Sequence, residues 1–487
     1  MPPPPVLRES PTRRAGGGPR SRPRPDVRGR AVDQTGSGRE AARTSAAART
    51  SQESRMSTDV VVVGAGVIGS SIALELARAG RRVTVVDKAG GVGLGSTSAS
   101  SAIVRFNFST HAGVAASWEA QFCWRAWREH LGCDVADPVR FERSGLALLD
   151  VDAAPRTAYL PLFDAVGVPY EEWDAATLAA RIPGIDTGRY WPPKRLDDDR
   201  FWADAPDRLG AVHTPDAGYI SDPQLAAQNL AAAATRYGAE FRFRRTVVEV
   251  RSTDSRVAAV VLDDGTRLAC TTVVNAAGPW SGRVNELAGV GSDFTIGVRP
   301  LRQEVAHVRA PAGFNPGGAA GITVADLDLG VYVRGEVGDG LLVGGTEPEC
   351  DPLEWIDDPD AANPNPTPAV FEAHVTRAAR RLSGLAVPNR ARGVVGVYDV
   401  ADDWTPIYDR TALDGFYVAM GTSGNQFKNA PLVGQLMATL IDRVESGVDH
   451  DAHPVRFVGR HTGESIDLGA FSRRRSVNTA SSGTVFG

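Results

Sequence analysis

Residues 64–69 read Gly64-Ala65-Gly66-Val67-Ile68-Gly69, and Asp87 follows 18 residues after the last glycine. Three glycines at that spacing suit the seating of a dinucleotide pyrophosphate on a helix N-terminus. The first permits a tight turn, the second lets backbone approach the phosphates, and the third lets helix and strand pack closely. An acid at the end of the next strand can accept from a ribose hydroxyl. The pattern has force only with a strand before it and a helix after it, and both are expected. Residues 60–63 are four valines, 68–79 are amphipathic and closed by Gly80, and 83–86 are a second apolar run ending at Asp87. The loop alone does not choose between NAD and FAD. No comparable signal points to a metal: Cys123, Cys133, Cys270 and Cys350 include no close pair, and the eight histidines form no HxH or HxxxH.

The elements that must position this loop recur along the chain. Residues 222–237 read as an Ala-rich helix entered through Ser221-Asp222-Pro223, 240–250 as an alternating strand, and 257–262 with 267–274 as a hairpin about Asp263-Asp264-Gly265. Later, 415–420 read as a strand, 421–429 as a glycine-containing turn and 431–444 as a helix. The expected organisation is a discontinuous nucleotide-binding domain (56–130, 215–295 and 395–447), a second domain inserted twice (131–214 and 296–394) and a C-terminal tail (448–487). Residues 1–55 are rich in Pro, Arg, Gly, Ser and Ala with too little apolar surface to offset chain entropy, so they read as a disordered extension upstream of a natural start at Met56.

Three separated segments resemble FAD-dependent oxidoreductases of the D-amino-acid oxidase and sarcosine oxidase family. Gly93-Leu94-Gly95-Ser96-Thr97-Ser98 is similar to the stretch that wraps the FAD pyrophosphate. Val274-Asn275-Ala276-Ala277-Gly278-Pro279-Trp280-Ser281 resembles the second FAD strand and turn, and Gly421-Thr422-Ser423-Gly424-Asn425-Gln426-Phe427-Lys428 the C-terminal flavin motif. The resemblance implies an α/β fold, with a Rossmann-like FAD-binding domain and an interleaved α+β substrate domain on a mainly antiparallel sheet. It implies cofactor contacts from Gly64, Gly66, Val67, Ile68, Gly69, Asp87 and Lys88 in the first βαβ unit, and from Gly95, Ser96 and Thr97 in the Ser-rich loop. Val248, Ala277, Gly278 and Trp280 would follow in the middle of the chain, and Gly421, Gly424, Phe427 and Lys428 in the last motif. At Gly424 a missing side chain would let backbone N–H groups approach the flavin, while Lys428 and the next helix N-terminus supply positive potential.

In sarcosine oxidases an arginine after the Ser-rich loop and the lysine of the last motif clamp the substrate carboxylate. By position these are Arg105 and Lys428, and Tyr398 is similar to a tyrosine lining the substrate site. Glycine and D-amino-acid oxidases carry a Gly-Leu-Arg-Pro run where this chain has Gly396-Val397-Tyr398-Asp399. The cysteine that holds flavin covalently in monomeric sarcosine oxidases is replaced by Gly396, which implies non-covalent FAD, and their oxygen-activating lysine by Leu342, which leaves O2 or another acceptor open. The implied reaction is hydride transfer from the carbon beside nitrogen to flavin N5, with hydrolysis of the imine. A 2-hydroxy-acid dehydrogenase would need a base for the hydroxyl proton, and none is evident. An FAD-binding assembly protein without turnover has no use for both Arg105 and Lys428, and an NAD-dependent dehydrogenase has none for a distant flavin motif.

The formal charge of -5 is uneven: twelve arginines against five acids in residues 1–55 give +7, leaving -12 for the remainder. An acidic body is unsuited to nucleic acid. The only long apolar run, 60–77, is interrupted by Gly64, Gly66, Gly69, Ser70, Ser71 and Glu75, so no membrane span is expected. Scattered cysteines fit a reducing, cytoplasmic setting. The expected partners are a small anionic amine or amino acid, an electron acceptor and possible partner subunits of the kind found in multi-subunit sarcosine oxidases.

Overall fold

Strand β1 (Val60–Val63) is apolar at every position because both faces of its sheet are covered. Val60 and Val62 pack on the helical side, among residues of α1 (Val67–Arg78) and of the helix Ala430–Glu445, whereas Val61 and Val63 meet Val247, Val260, Leu262 and Leu268 on the other. The computed structural model describes residues 58–486, so the expectation for residues 1–55 lies outside the described residues. The six-stranded sheet runs in the order Ile407–Arg410, Phe416–Met420, Thr272–Asn275, β1, β2 (Val83–Asp87), Glu240–Phe243. Every neighbouring pair is parallel except Ile407–Arg410 with Phe416–Met420. The helices Val67–Arg78, Pro223–Arg236 and Ala430–Glu445 match the expected ones to within a residue or two.

Two expected strands are each divided. The run 240–250 forms Glu240–Phe243 at the edge of the parallel sheet and Val247–Thr253 in a separate antiparallel meander with Arg256–Leu262 and Arg267–Ala269. The corner is Arg244, at φ +54°, a left-handed conformation that ends strand pairing. The run 267–274 divides in the same way: Arg267–Ala269 stays in the meander and Thr272–Asn275 joins β1. The change of pattern, from alternating around Leu268 and Cys270 to unbroken at Val273-Val274, marks the passage from a one-sided to a two-sided sheet.

The second large sheet is mixed. Most of its neighbours are antiparallel, and Thr323–Asp326 runs parallel to Leu146–Leu149. Its longest ladder joins Val298–Arg309 to Gly393–Ala401, from Val298 opposite Ala401 to Ala306 opposite Gly393. Gly393–Ala401 therefore belongs to this sheet and leads directly into Ile407–Arg410 of the parallel one. The helix Pro368–Arg381 packs on the same sheet, and its buried Arg381 binds Asp326 Oδ2 and Asp328 Oδ2, each at 2.7 Å. Residues 448–486 hold the hairpin Arg456–Val458 with Ser465–Asp467, the buried Ile466, Leu468 and Phe471, and Arg473, whose guanidinium is shared by Asp293, Asp409 and Asp451. Among the described residues, no helix is long and apolar enough to cross a membrane.

Where α1 and Ala430–Glu445 cross, Gly434 lies against the backbone of Ser71: a Cβ there would stand 2.5 Å from the Ser71 carbonyl oxygen. Gly434→Ala is expected to destabilise the protein by about 1–3 kcal/mol despite the alanine's gain of about 1 kcal/mol in helix propensity. Denaturant unfolding would measure the sign.

Candidate active site

A cavity of about 1100 Å³ opens at the carboxyl ends of β1 and β2 and runs to the last flavin-like motif. Gly64, at φ +108°, is pressed against the neighbouring strand's exit: a Cβ would lie 2.3 Å from the Ala276 carbonyl oxygen. A Cβ on Gly69 would lie 1.9 Å from the Gly64 carbonyl oxygen, so the third glycine permits the close helix–strand contact. Gly66 precedes the helix without a side-chain cap, and Gly66, Val67 and Ile68 face the cavity with the open N-terminus of α1. Asp87 folds back on the loop, accepting from Ala65 N at 2.7 Å through Oδ2 and from Ala89 N at 2.7 Å through Oδ1. Each oxygen keeps acceptor capacity for a hydroxyl.

Thr97 Oγ1 accepts from Val67 N at 3.0 Å, and Ser96 Oγ donates to Val397 O at 2.5 Å, which ties the Ser-rich loop to the strand carrying Tyr398. Gly95 and Val248 also line the cavity, as do Ala277, Gly278 and Trp280. Lys88 lies over the Trp280 ring at 3.9 Å and is paired with Asp360, which also accepts from Trp280 Nε1 at 3.1 Å and Arg283 Nη1 at 3.3 Å. Two of the expected cofactor residues, Gly69 and Gly421, stand outside the cavity wall. Both shape backbone, Gly421 at φ +65° with space for a Cβ only 3.2 Å from Ala401 Cβ.

At the inner end the structure brings Arg105, Tyr398, Gly424, Phe427 and Lys428 together. A Cβ on Gly424 would be 2.3 Å from the Tyr398 ring, so only glycine lets the loop lie against that ring. Phe427 stacks on Trp124 with ring centres 5.7 Å apart, and Trp124 Nε1 donates to Lys428 O at 2.7 Å. Arg105 and Lys428 are both buried and share the Phe108 ring, at 5.4 Å and 4.5 Å from its centre. Arg105 donates to the carbonyls of Asn107 (2.5 Å), Phe486 (3.4 Å) and Val485, and Lys428 to that of Asn425. Among the described residues, neither forms an ion pair within 4.0 Å.

Burial pulls the Arg105 guanidinium down to about 9, which leaves it a cation at neutral pH. Burial and the neighbouring Arg105 charge hold the Lys428 ammonium well below its ordinary 10.5. Burial keeps the Tyr398 phenol well above 10, so it remains a donor. A carboxylate reaching both basic groups would relieve their uncompensated burial.

Several lining residues carry no mark in the sequence. Tyr332 Oη lies 2.6 Å from Ser101 Oγ, and Asp399, held by Thr422 Oγ1 at 2.5 Å, has its second oxygen Oδ2 buried without a hydrogen-bond partner. Glu347, close behind Arg105, is pushed by burial up to about 8. Asp360, Val485 and Phe486 complete the wall. No cysteine or histidine, and not Leu342, lines the cavity among the described residues.

A glycine loop at the head of a parallel sheet, feeding a long cavity that ends in buried basic groups, is the build of a flavoprotein oxidoreductase. The chain belongs to the FAD dependent oxidoreductase (DAO) family, whose sequence pattern matches residues 59–440. It is 26% identical over 408 residues to a glycine oxidase of Geobacillus kaustophilus, covering 80% of this chain and 94% of that protein. It is 26% identical over 412 residues to the 4-methylaminobutanoate oxidase (formaldehyde-forming) of Paenarthrobacter nicotinovorans, covering 82% of this chain and 45% of the other. Its fold matches the L-proline dehydrogenase of P. horikoshii with a TM-score of 0.67 at 20% identity, over 86% of this chain and 97% of that one. The protein is thus an FAD-dependent oxidoreductase.

Because Lys428 must be protonated to attract an anion, carboxylate affinity should weaken as pH rises through its lowered pKa, by up to about tenfold per unit. Titrating the FAD-loaded protein with acetate across pH, following the flavin spectrum, should show this slope reduced in Lys428→Met.

Proposed function

We propose that this protein oxidises the C–N bond of a small secondary amine or amino acid that carries a carboxylate, in the manner of sarcosine. The observation that carries the reading is the pair of buried basic groups, Arg105 and Lys428, facing one cavity with only carbonyl oxygens as hydrogen-bond acceptors among the described residues. The cavity fits FAD along its length: Gly64, Gly66, Asp87, Thr97 and the N-terminus of α1 would hold the pyrophosphate and ribose, and the inner end, walled by Tyr398, Gly424 and Phe427, would take the flat ring. Without cysteine or histidine in the wall, the FAD would be held non-covalently. When bound, FAD supplies the hydride acceptor at N5.

The chain's own residues then have three tasks. Arg105 offers a planar fork to the carboxylate and Lys428 a point charge beside it, which fixes the carbon next to nitrogen in one place. The Arg105 charge, joined by that of Lys428 when it is protonated, disfavours an ammonium nearby, so the amine binds as the neutral base that hydride loss requires. The aromatic wall of Tyr398, Phe427 and Phe486 excludes water until the imine leaves, and water then hydrolyses it. The Gly-Leu-Arg-Pro arginine is absent at 396–399, so the carboxylate contacts fall to Arg105 and Lys428. A wall without histidine offers little to the 2-hydroxy-acid reading. The acceptor is O2 or another oxidant, and the protein works in the cytoplasm.

Anaerobic addition of sarcosine, dimethylglycine, proline and a D/L amino-acid panel to the yellow protein is expected to bleach the flavin band with at least one carboxylate-bearing amine. Admitting air then separates oxidase from dehydrogenase by reoxidation rate. Arg105→Met should raise KM for that amine about 10- to 100-fold, the loss expected for a hydrogen-bonded charge pair. Bleaching only by amines lacking a carboxylate would overturn the reading.

A further inference from the structure

Arg105 is anchored by residues 380 positions away. Val485 O and Phe486 O accept from its guanidinium, and the Phe486 ring lies over it with the guanidinium carbon 4.4 Å from the ring centre. Carbonyls around the edge and a ring on the face fix the plane of the group. Arginine has five N–H donors. The carbonyls of Asn107, Val485 and Phe486 receive three hydrogen bonds, which leaves two N–H groups, the number a carboxylate takes in a forked pair. The anchors are neutral, so the positive charge remains available.

The segment is itself held. Val485 N donates to Glu347 Oε2 at 2.9 Å, and Gln303 Nε2 donates to Glu347 Oε1 at 3.1 Å. Glu347 has a φ of +52°, a left-handed conformation that side-chain-bearing residues rarely adopt. The buried Phe486 also lines the cavity beside Tyr398 and Lys428, so its ring forms an apolar wall next to the carboxylate fork.

We infer that Phe486 determines substrate specificity and that Glu347 is a positioning residue acting through it. The Val485–Phe486 segment sets the plane of Arg105 and closes the pocket beside a bound carboxylate, so the site accepts short acids and rejects long ones. This rests on reading Arg105 as the carboxylate clamp.

The test is a titration of the FAD-loaded full chain with acetate, butanoate, hexanoate and octanoate, read as perturbation of the flavin spectrum. In the wild type, affinity should fall steadily with chain length. Phe486→Ala should bind acetate about tenfold more weakly, a loss of about 1.4 kcal/mol, and should shift the octanoate-to-acetate preference at least about tenfold towards octanoate. Phe486→Tyr should keep the wild-type profile. Glu347→Ala should repeat the Phe486→Ala profile, and Glu347→Gln, whose amide oxygen still accepts from Val485 N, should restore it. Phe486→Leu, a milder change, serves if the alanine variant does not retain FAD. A chain-length profile unchanged in both Phe486→Ala and Phe486→Leu would overturn the inference, as would Glu347→Ala matching the wild type. If Arg105→Met binds acetate as the wild type does, or no acid perturbs the wild-type spectrum, the clamp reading falls and the inference with it. If Arg105→Met loses acetate while the Phe486 variants keep the wild-type profile, only the inference falls.

Discussion

Two basic side chains buried with no carboxylate within 4.0 Å among the described residues are the constraint around which the inner half of this molecule is arranged. Removing a cation from water costs several kcal/mol even after relaxation. Here the cost is offset by carbonyl dipoles from four residues and by aromatic faces. Elsewhere the protein pairs its buried arginines conventionally, Arg381 with Asp326 and Asp328, and Arg473 with Asp409. The departure at Arg105 and Lys428 is local, and it coincides with the end of the cavity. Two buried basic groups in such surroundings favour an anionic guest, the property on which the proposed reading of the site rests.

The nucleotide half depends on a different economy, the approach of backbone to backbone. Gly64 meets the Ala276 carbonyl and Gly69 meets that of Gly64, so the loop, the helix and the neighbouring strand's exit are fitted together without side chains between them. Asp87 stabilises the same loop through Ala65 N while facing the cavity. One acid thus shapes the turn and presents an acceptor to whatever binds there.

What the sequence made legible follows from range. The βαβ unit is local: four valines, three glycines and an acid within 30 residues announce it, and α1, β1 and β2 lie where periodicity puts them. The meander and the divided strands were less legible because Arg244 turns the chain by its backbone conformation, which residue type does not reveal. Arg105, Tyr398 and Lys428 were found through family resemblance, and the structure brings them to one cavity end. Glu347, Asp360 and Phe486 could not be found in that way. Each matters through a partner in another part of the chain, Val485, Lys88 and Arg105 respectively, and long-range pairing leaves no periodic trace.

The ladder between Val298–Arg309 and Gly393–Ala401 has a mechanical consequence. Gly393–Ala401 carries Tyr398 and Asp399 and leads, through a turn at 402–406, to Ile407–Arg410 of the parallel sheet. The same strand is tied to the loop after Phe416–Met420, where Ser423 N donates to Asp399 O at 3.0 Å and Ala401 N donates to Ser423 Oγ at 3.1 Å, so parting one sheet from the other would have to break those bonds as well. The two sheets are thus fastened to each other where Tyr398 and Asp399 stand, and in the cavity wall Asp360 fastens Lys88 to Arg283 like a catch on a door.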